Sequence, residues 1–319
     1  MSTRGASDRA PAVSAIICTR NRPDKIGTAV RTVLANEHDD FTLTVIDQST
    51  DDETRSIVEA IAESDPRLRY VPMDEVGLSR AYNRGIAESA GPILAFTDDD
   101  CVVPTDWITS IEAAFRSEPD GELLYGQVIA LESEAEKGLT PQLLFDGPGR
   151  LAKGEGFRVT GMGANFAARR RLFESIGGFD EVLGGGGPLK SSQDYDLAYR
   201  AYCAGKVILT RHDVLIRHDG RREHDDWPTL MTNYGFGDGA FYTKHVRCRD
   251  PYALRLFATQ AARNAGRQLF RVVRRRPMSL AYLRGMATGA RSSFAYPVDR
   301  ESRMYADGIT GELVEEKVA

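Results

Sequence analysis

Three aspartates in a row, Asp98-Asp99-Asp100, follow the apolar run Pro92–Thr97 (PILAFT). Adjacent carboxylates repel one another, so folding alone gives no reason to place them there. Alternate side chains of an extended segment point the same way, which lets Asp98 and Asp100 act together. Hard oxygen ligands of this kind suit Mg²⁺ or Mn²⁺, with phosphates of a substrate completing the shell. The competing reading is a solvated acidic turn. Asp47 ends a second apolar run, where a carboxylate can accept a hydrogen bond from a base or ribose. Ser49, Thr50 or Asp51 just after it can cap the following helix instead. Thr19-Arg20-Asn21-Arg22 puts cations after a third such run, apt for a diphosphate.

Arg80 and Asn83 lie three apart and share a helix face, near an amino terminus whose dipole favours anions; a plain solvated face is the alternative. Ser192-Gln193-Asp194-Tyr195-Asp196-Leu197 opens another helix. There Asp194 is either a carboxylate held ionised by the helix terminus or, like Ser192, a cap. His218 closes a short strand and is either structural or a ligand. Trp107 offers its face to a sugar ring or to the core.

Something must hold these residues along one edge. Val13–Thr19, Leu43–Asp47, Leu68–Val71 and Pro92–Thr97 are apolar strands. Asp24–Asn36, Glu53–Ser64 and Leu78–Ser89 between them carry apolar residues at helical spacing. This alternation predicts an α/β fold with a parallel, doubly wound sheet, and right-handed crossovers bring the loops after Thr19, Asp47 and Thr97 to the carboxyl edge, where such sheets bind ligands. Beyond Pro104 the pattern is mixed: a helix over Asp106–Arg116, a strand over Leu123–Ala130, a loop-rich insert over Glu132–Glu155 and a strand over Gly161–Ala167. A helix near Arg169–Ile176 and the glycine loop Gly184–Gly187 lead to a helix over Asp194–Ala204. Two short strands follow, near Val207–Leu209 and Val214–Arg217, and mainly helix from Trp227.

The 319 residues suffice to bury a real core, and no apolar run approaches a membrane span. The four cysteines are scattered without a CxxC pair, which argues against a disulfide scaffold or structural zinc and suits a reducing cytosol. The net charge of −5 hides a division: Lys244 to Arg303 holds fourteen Lys/Arg against three acids, a charge of +11, which leaves −16 elsewhere. Pro251–Met278 combines many of these arginines with apolar residues at helical spacing, a pattern suited to an anionic membrane surface or to packing on an acidic body. No nucleic-acid-binding module accompanies it.

Taken in order, ICTRNRP, VIDQSTDD, GLSRAYNRGI and AFTDDD resemble the nucleotide-binding half of family 2 glycosyltransferases of the GT-A fold, a Rossmann-like sheet flanked by helices. The likeness extends over roughly Val13 to His218. It implies donor binding by Thr19, Arg20, Arg22, Asp47, Arg80, Asn83, Asp98 and Asp99. The aspartate triplet takes the place of the DxD motif, with Asp98 and Asp100, and His218 as third ligand, on Mn²⁺ or Mg²⁺. Asp194 matches the aspartate of the family's ED motif, the base of an inverting transfer, although Gln193 stands where a glutamate is usual; Asp196 is the fallback. Trp107, Gly163, Ala164, Asn165, Gly186 and Gln193 are expected at the acceptor.

The implied organisation is a tail over 1–11, a nucleotide-sugar-binding half over 12–104, an acceptor-binding half over 105–225, a basic helical extension over 226–306 and a tail over 307–319. The implied reaction moves a sugar from a nucleoside diphosphate to a hydroxyl of a glycan, lipid-linked or small-molecule acceptor, in cell-surface polysaccharide or glycolipid synthesis. The implied location is the cytoplasm at the inner face of the membrane, with peripheral contact through the basic helices and no nucleic-acid partner. The alternatives are a sugar-phosphate nucleotidyltransferase, whose glycine-rich phosphate loop is missing from ICTRNRP, and a catalytically idle sugar- or lipid-binding protein.

Overall fold

The computed structural model describes residues 10–131, 141–158, 161–220, 227–275 and 278–306. Most of the expected amino-terminal tail, part of the 132–155 insert and the 307–319 tail lie outside the described residues. The chain divides into two compact units. The first comprises Met1–Val76, Arg80–Gly178 and Ala201–Arg221, and the second Gly77–Ser79, Phe179–Arg200 and Arg222–Ala319.

In the first unit, strands β1 (Val13–Thr19), β2 (Phe41–Asp47), β3 (Leu68–Pro72) and β4 (Ile93–Asp98) alternate with helices α1 (Pro23–Leu34), α2 (Glu53–Ala62) and α3 (Leu78–Glu88), the last shared with the second unit at its first residues. β5 (Cys101–Val102), α4 (Trp107–Ser117), β6 (Gly121–Ala130), β7 (Gly149–Leu151), β8 (Asn165–Arg169), α5 (Arg170–Ile176) and β9 (Val207–His218) complete it. The strand order is β3-β2-β1-β4-β8-β6-β9-β5, with β7 paired to β9. The first four strands are parallel, and β8 enters antiparallel between β4 and β6. Every residue of β1 is buried, as a strand covered on both faces requires.

The order of the first four strands reverses between β1 and β4, a switch point of the kind at whose carboxyl ends open α/β sheets bind ligands. Register aligns Thr19 with Asp47 and Cys18 with Asp98, so three separate motifs end on one rim.

Two expectations need correction. Residues 207–218 form one strand, not two. The polar interruption at Arg211-His212-Asp213 is absorbed as an irregularity, where β6's partner jumps from Arg211 to Leu215. The strand expected over Gly161–Ala167 begins only at Asn165, whose buried amide anchors its start.

The second unit holds most of α6 (Gln193–Cys203), then α7 (Trp227–Arg247), α8 (Pro251–Val273), α9 (Ala281–Ser292) and a small antiparallel pair, β10 (Val298–Asp299) with β11 (Met304–Tyr305). Asp250 caps α8 by accepting from the backbone N–H groups of Tyr252 and Ala253. No helix among the described residues is long and apolar enough to cross a membrane.

Candidate active site

The rim of the first unit is built around the acidic triplet. The Thr19 hydroxyl donates to Asp99 at 2.7 Å, and Arg22 Nη1 donates to Asp99 and Asp100, both at 2.8 Å. The other Asp100 oxygen lies 3.2 Å from His218 Nε2. Sheet register makes that pairing possible, because β5 runs antiparallel to β9 with Cys101 opposite His218. Asp219, next in the chain, donates its N–H to the Asp100 carbonyl and pairs with Lys25 at 2.6 Å. Gly220 lies against the His218 ring, where any side chain would collide.

Asp98, Asp100, Cys101 and His218 each present one ligand atom, and all four atoms lie within 4.8 Å of one another. Two carboxylates and an imidazole form a donor set fit for Mn²⁺ or Mg²⁺, and the thiol adds a softer ligand. Sequence reasoning gathered Asp98, Asp100 and His218 but missed Cys101. Its adjacency to the triplet was visible, whereas its pairing with His218 depends on a strand of two residues.

The carboxyls of the triplet ionise unequally. Burial, reinforced by the charge of Asp100, pushes Asp98 up to about 7. Burial also acts on Asp100, yet the facing His218 and Arg22 outweigh it and hold that group well below the usual carboxylate range. Asp99 is raised, chiefly by burial, against the pull of Arg22 and Thr19. Burial and then the charge of Asp98 raise the Cys101 thiol, so that it keeps its proton until a cation displaces it.

Asp47 is buried and accepts twice, from the Ser49 N–H at 2.8 Å and the Tyr70 hydroxyl at 2.9 Å. Asn21, at φ +54°, ties this loop to the first: its N–H donates to the Ser49 hydroxyl and its side chain accepts from the Thr50 N–H. Arg20 is exposed. Arg80 and Asn83 are half-buried on α3, and Gly178 abuts the Asn83 amide.

Two residues expected at the acceptor belong to the core. Trp107 is 0% exposed and its indole N–H donates to Asn165 Oδ1 at 3.0 Å. The Asn165 amide donates to the carbonyls of Gln127 and Val214, so it brackets α4, β6 and β9. Neither leaves a face for a sugar. Ala164 is buried beside them, and Gly163 is half-buried.

In the second unit, Asp194 is half-buried in the first turn of α6, after the buried Gln193 and after Ser192, which sits at φ +70°. Gly186, at φ +76°, is exposed on the loop before it. Asp196 is excluded as a base. It is fully buried and clasped by Arg200 at 2.8 Å, Lys244 at 2.5 Å and His245 at 2.9 Å. Burial opposes ionisation, but those cations prevail and hold its pKa far down. An acid so committed is an anchor for α7, not a proton acceptor.

With this geometry in place, the comparisons with known proteins are decisive. The model of glycosyl transferase family 2 matches residues 14–177. The chain belongs to that family. Among curated relatives, the glucosyl-dolichyl phosphate glucuronosyltransferase of Haloferax volcanii is 22% identical over 54% of this chain and 57% of its own length. The succinoglycan biosynthesis protein ExoO of Rhizobium meliloti is 30% identical over 64% of this chain and 60% of its own length. The family-2 chain thus spans about three fifths of these relatives. Among solved structures, the mannosyltransferase PcManGT of Pyrobaculum calidifontis, in complex with GDP-Man and Mn²⁺, has a TM-score of 0.61 at 18% identity and 88% coverage of both chains. S. aureus TarS 1–349 in complex with UDP has a TM-score of 0.53 at 20% identity, over 71% of this chain and 65% of that one. These likenesses establish the GT-A fold.

Proposed function

We propose that this family-2 protein is an inverting, metal-dependent glycosyltransferase, moving a sugar from a nucleoside-diphosphate sugar to an acceptor hydroxyl in cell-surface polysaccharide or glycolipid synthesis. The observation that carries the reading is the convergence of Asp98, Asp100, Cys101 and His218 at the switch point of the sheet. These residues would hold Mn²⁺ or Mg²⁺, which when bound offsets negative charge on the departing diphosphate. A GT-A relative solved with GDP-Man and Mn²⁺ supports the same choice of donor and ion.

The chain's own residues do the rest. Thr19 and Arg22 fix Asp99 and Asp100 by direct hydrogen bonds, so the ligand carboxylate is oriented before substrate arrives. Asp47, oriented by Tyr70 and the Ser49 N–H, receives the base or ribose, and Arg80 and Asn83 contribute to donor binding. Asp194, in the first turn of α6, takes the acceptor hydroxyl's proton as that oxygen attacks the anomeric carbon. A single displacement inverts the configuration. Gly163 of the first unit, and Gly186 and Gln193 of the second, are assigned to the acceptor. The acceptor is a glycan, a lipid-linked saccharide or a small molecule, and the location is the cytoplasm, at the inner face of the membrane.

The test pairs binding with turnover. UDP-, GDP- and dTDP-sugars are screened by thermal shift with and without Mn²⁺; a ligand at 100 times its dissociation constant stabilises by about 2.7 kcal/mol. Asp194→Asn should keep the Mn²⁺-dependent shift of the cognate donor and lose transfer by about 10²-fold or more. Undiminished turnover removes Asp194 as the base, and the absence of any donor shift removes the transferase reading.

A further inference from the structure

Helix α8 runs for 23 residues, yet among them only Ala253 is buried. Its inward side is not its most apolar one. Phe257, Gln260, Ala261, Asn264 and Gln268 are partly covered: Phe257 stacks on Tyr242, Gln260 donates to the Tyr282 hydroxyl, and Gln268 accepts from the Ser279 N–H. Leu254, Ala258, Ala262, Leu269, Val272 and Val273 fall on another side at helical spacing and are exposed, Leu269 at 66% and Val273 at 73%. Phe270, 55% exposed, borders this stripe. Arg263, Arg267, Arg271, Arg274 and Arg275 occupy the rest of the circumference, all exposed. The stretch 251–276 contains six arginines besides Arg255 and no acid.

We propose that the carboxyl-terminal half of α8 docks on an anionic lipid surface, with Leu269, Phe270, Val272 and Val273 in the outer acyl region and the arginines among the headgroups. Burial of the stripe removes apolar area from water, and the unbalanced cations meet negative lipid at the same depth. A second copy of the chain fits worse, because pairing two stripes brings two sets of arginines together. A nucleic acid would meet the arginines and leave the stripe in water. This deepens the localisation proposed above and is independent of the sugar-transfer chemistry, since vesicle binding requires no donor.

The full chain is sedimented with vesicles of phosphatidylcholine alone and with about one third phosphatidylglycerol. It should bind the anionic vesicles selectively. Combined Arg271→Glu, Arg274→Glu and Arg275→Glu should weaken that binding at least about tenfold. Combined Leu269→Ser, Phe270→Ser and Val273→Ser should do the same with every arginine kept, which a purely ionic contact would not show. Both variants alter exposed positions and should keep the wild-type thermal midpoint and donor shift. Equal affinity for the two vesicle types, no binding to either, wild-type affinity in the serine variant, or preference for RNA over anionic vesicles would overturn the proposal.

Discussion

Ser192 sits at φ +70°, a backbone conformation that L side chains avoid at a cost of about 1–2 kcal/mol, and directly precedes the helix that carries Asp194. What holds it is Asp238 of α7: the Ser192 hydroxyl donates to one carboxylate oxygen at 2.7 Å and the Tyr282 hydroxyl donates to the other. Burial pushes Asp238 up to about 6 from an ordinary 3.8, and the charge of Asp194 adds to the rise. The sign follows from linkage. Between those two values the folded chain keeps a proton that the unfolded chain has lost, so this stabilisation is full below about 4 and lost as pH rises through about 6. Asp238→Asn lacks the titration. Its melting temperature relative to wild type should therefore climb from about pH 4 to about pH 7, and a difference independent of pH would show that Asp238 is not raised. No periodicity in the sequence pointed to Asp238, because its partners come from the start of α6 and from α9. Asp47, Asp98, Asp100 and His218 were legible for the opposite reason: each lies at or just past a strand end, and strand ends can be read from an apolar run that stops. Trp107 and Asn165 misled because type and spacing do not say whether a side chain faces solvent or core.

At the scale of elements, the apolar rhythm of β1 to β4 made the sheet legible, while the carboxyl-terminal helices were legible only as helices. Gly235 and Gly239 of α7 face Gly285 and Gly289 of α9, and a Cβ on any of them would run into backbone of the opposite helix. Gly237 likewise abuts Ser191, whose hydroxyl donates to the Asn233 carbonyl, so α7 lies tight against the loop that leads into α6. In sequence, GFGDG lies within the mainly helical stretch from Trp227; only the packing partner reveals it as a helix crossing. Gly239→Ala or Gly289→Ala should destabilise the protein by about 1–3 kcal/mol through overpacking. Gly266 on α8 has open space where a methyl group would project, with no atom within 4 Å, so Gly266→Ala should stabilise by up to about 1 kcal/mol through helix propensity. Urea denaturation of the three variants checks both signs, and a similar cost at Gly266 would mean that α8 is packed on a side now in water.

For the whole molecule, charge is the property that local structure conceals. The +11 between Lys244 and Arg303 and the −16 elsewhere nearly cancel in the total, yet a neighbouring molecule meets each region separately. At about 10 mM salt the screening length is roughly 30 Å, long enough for the basic region of one chain to attract the acidic remainder of another; at about 0.15 M it is about 8 Å. Light scattering at about pH 7 should therefore report an apparent mass above 35.2 kDa at low salt, growing with protein concentration and returning to that value as salt is added. Association through the apolar stripe of α8 would respond in the opposite sense, because salt relieves the repulsion between its arginines. A mass that rises with salt would thus assign self-association to the stripe, and a mass that never changes would mean that the separated charges are neutralised within each chain.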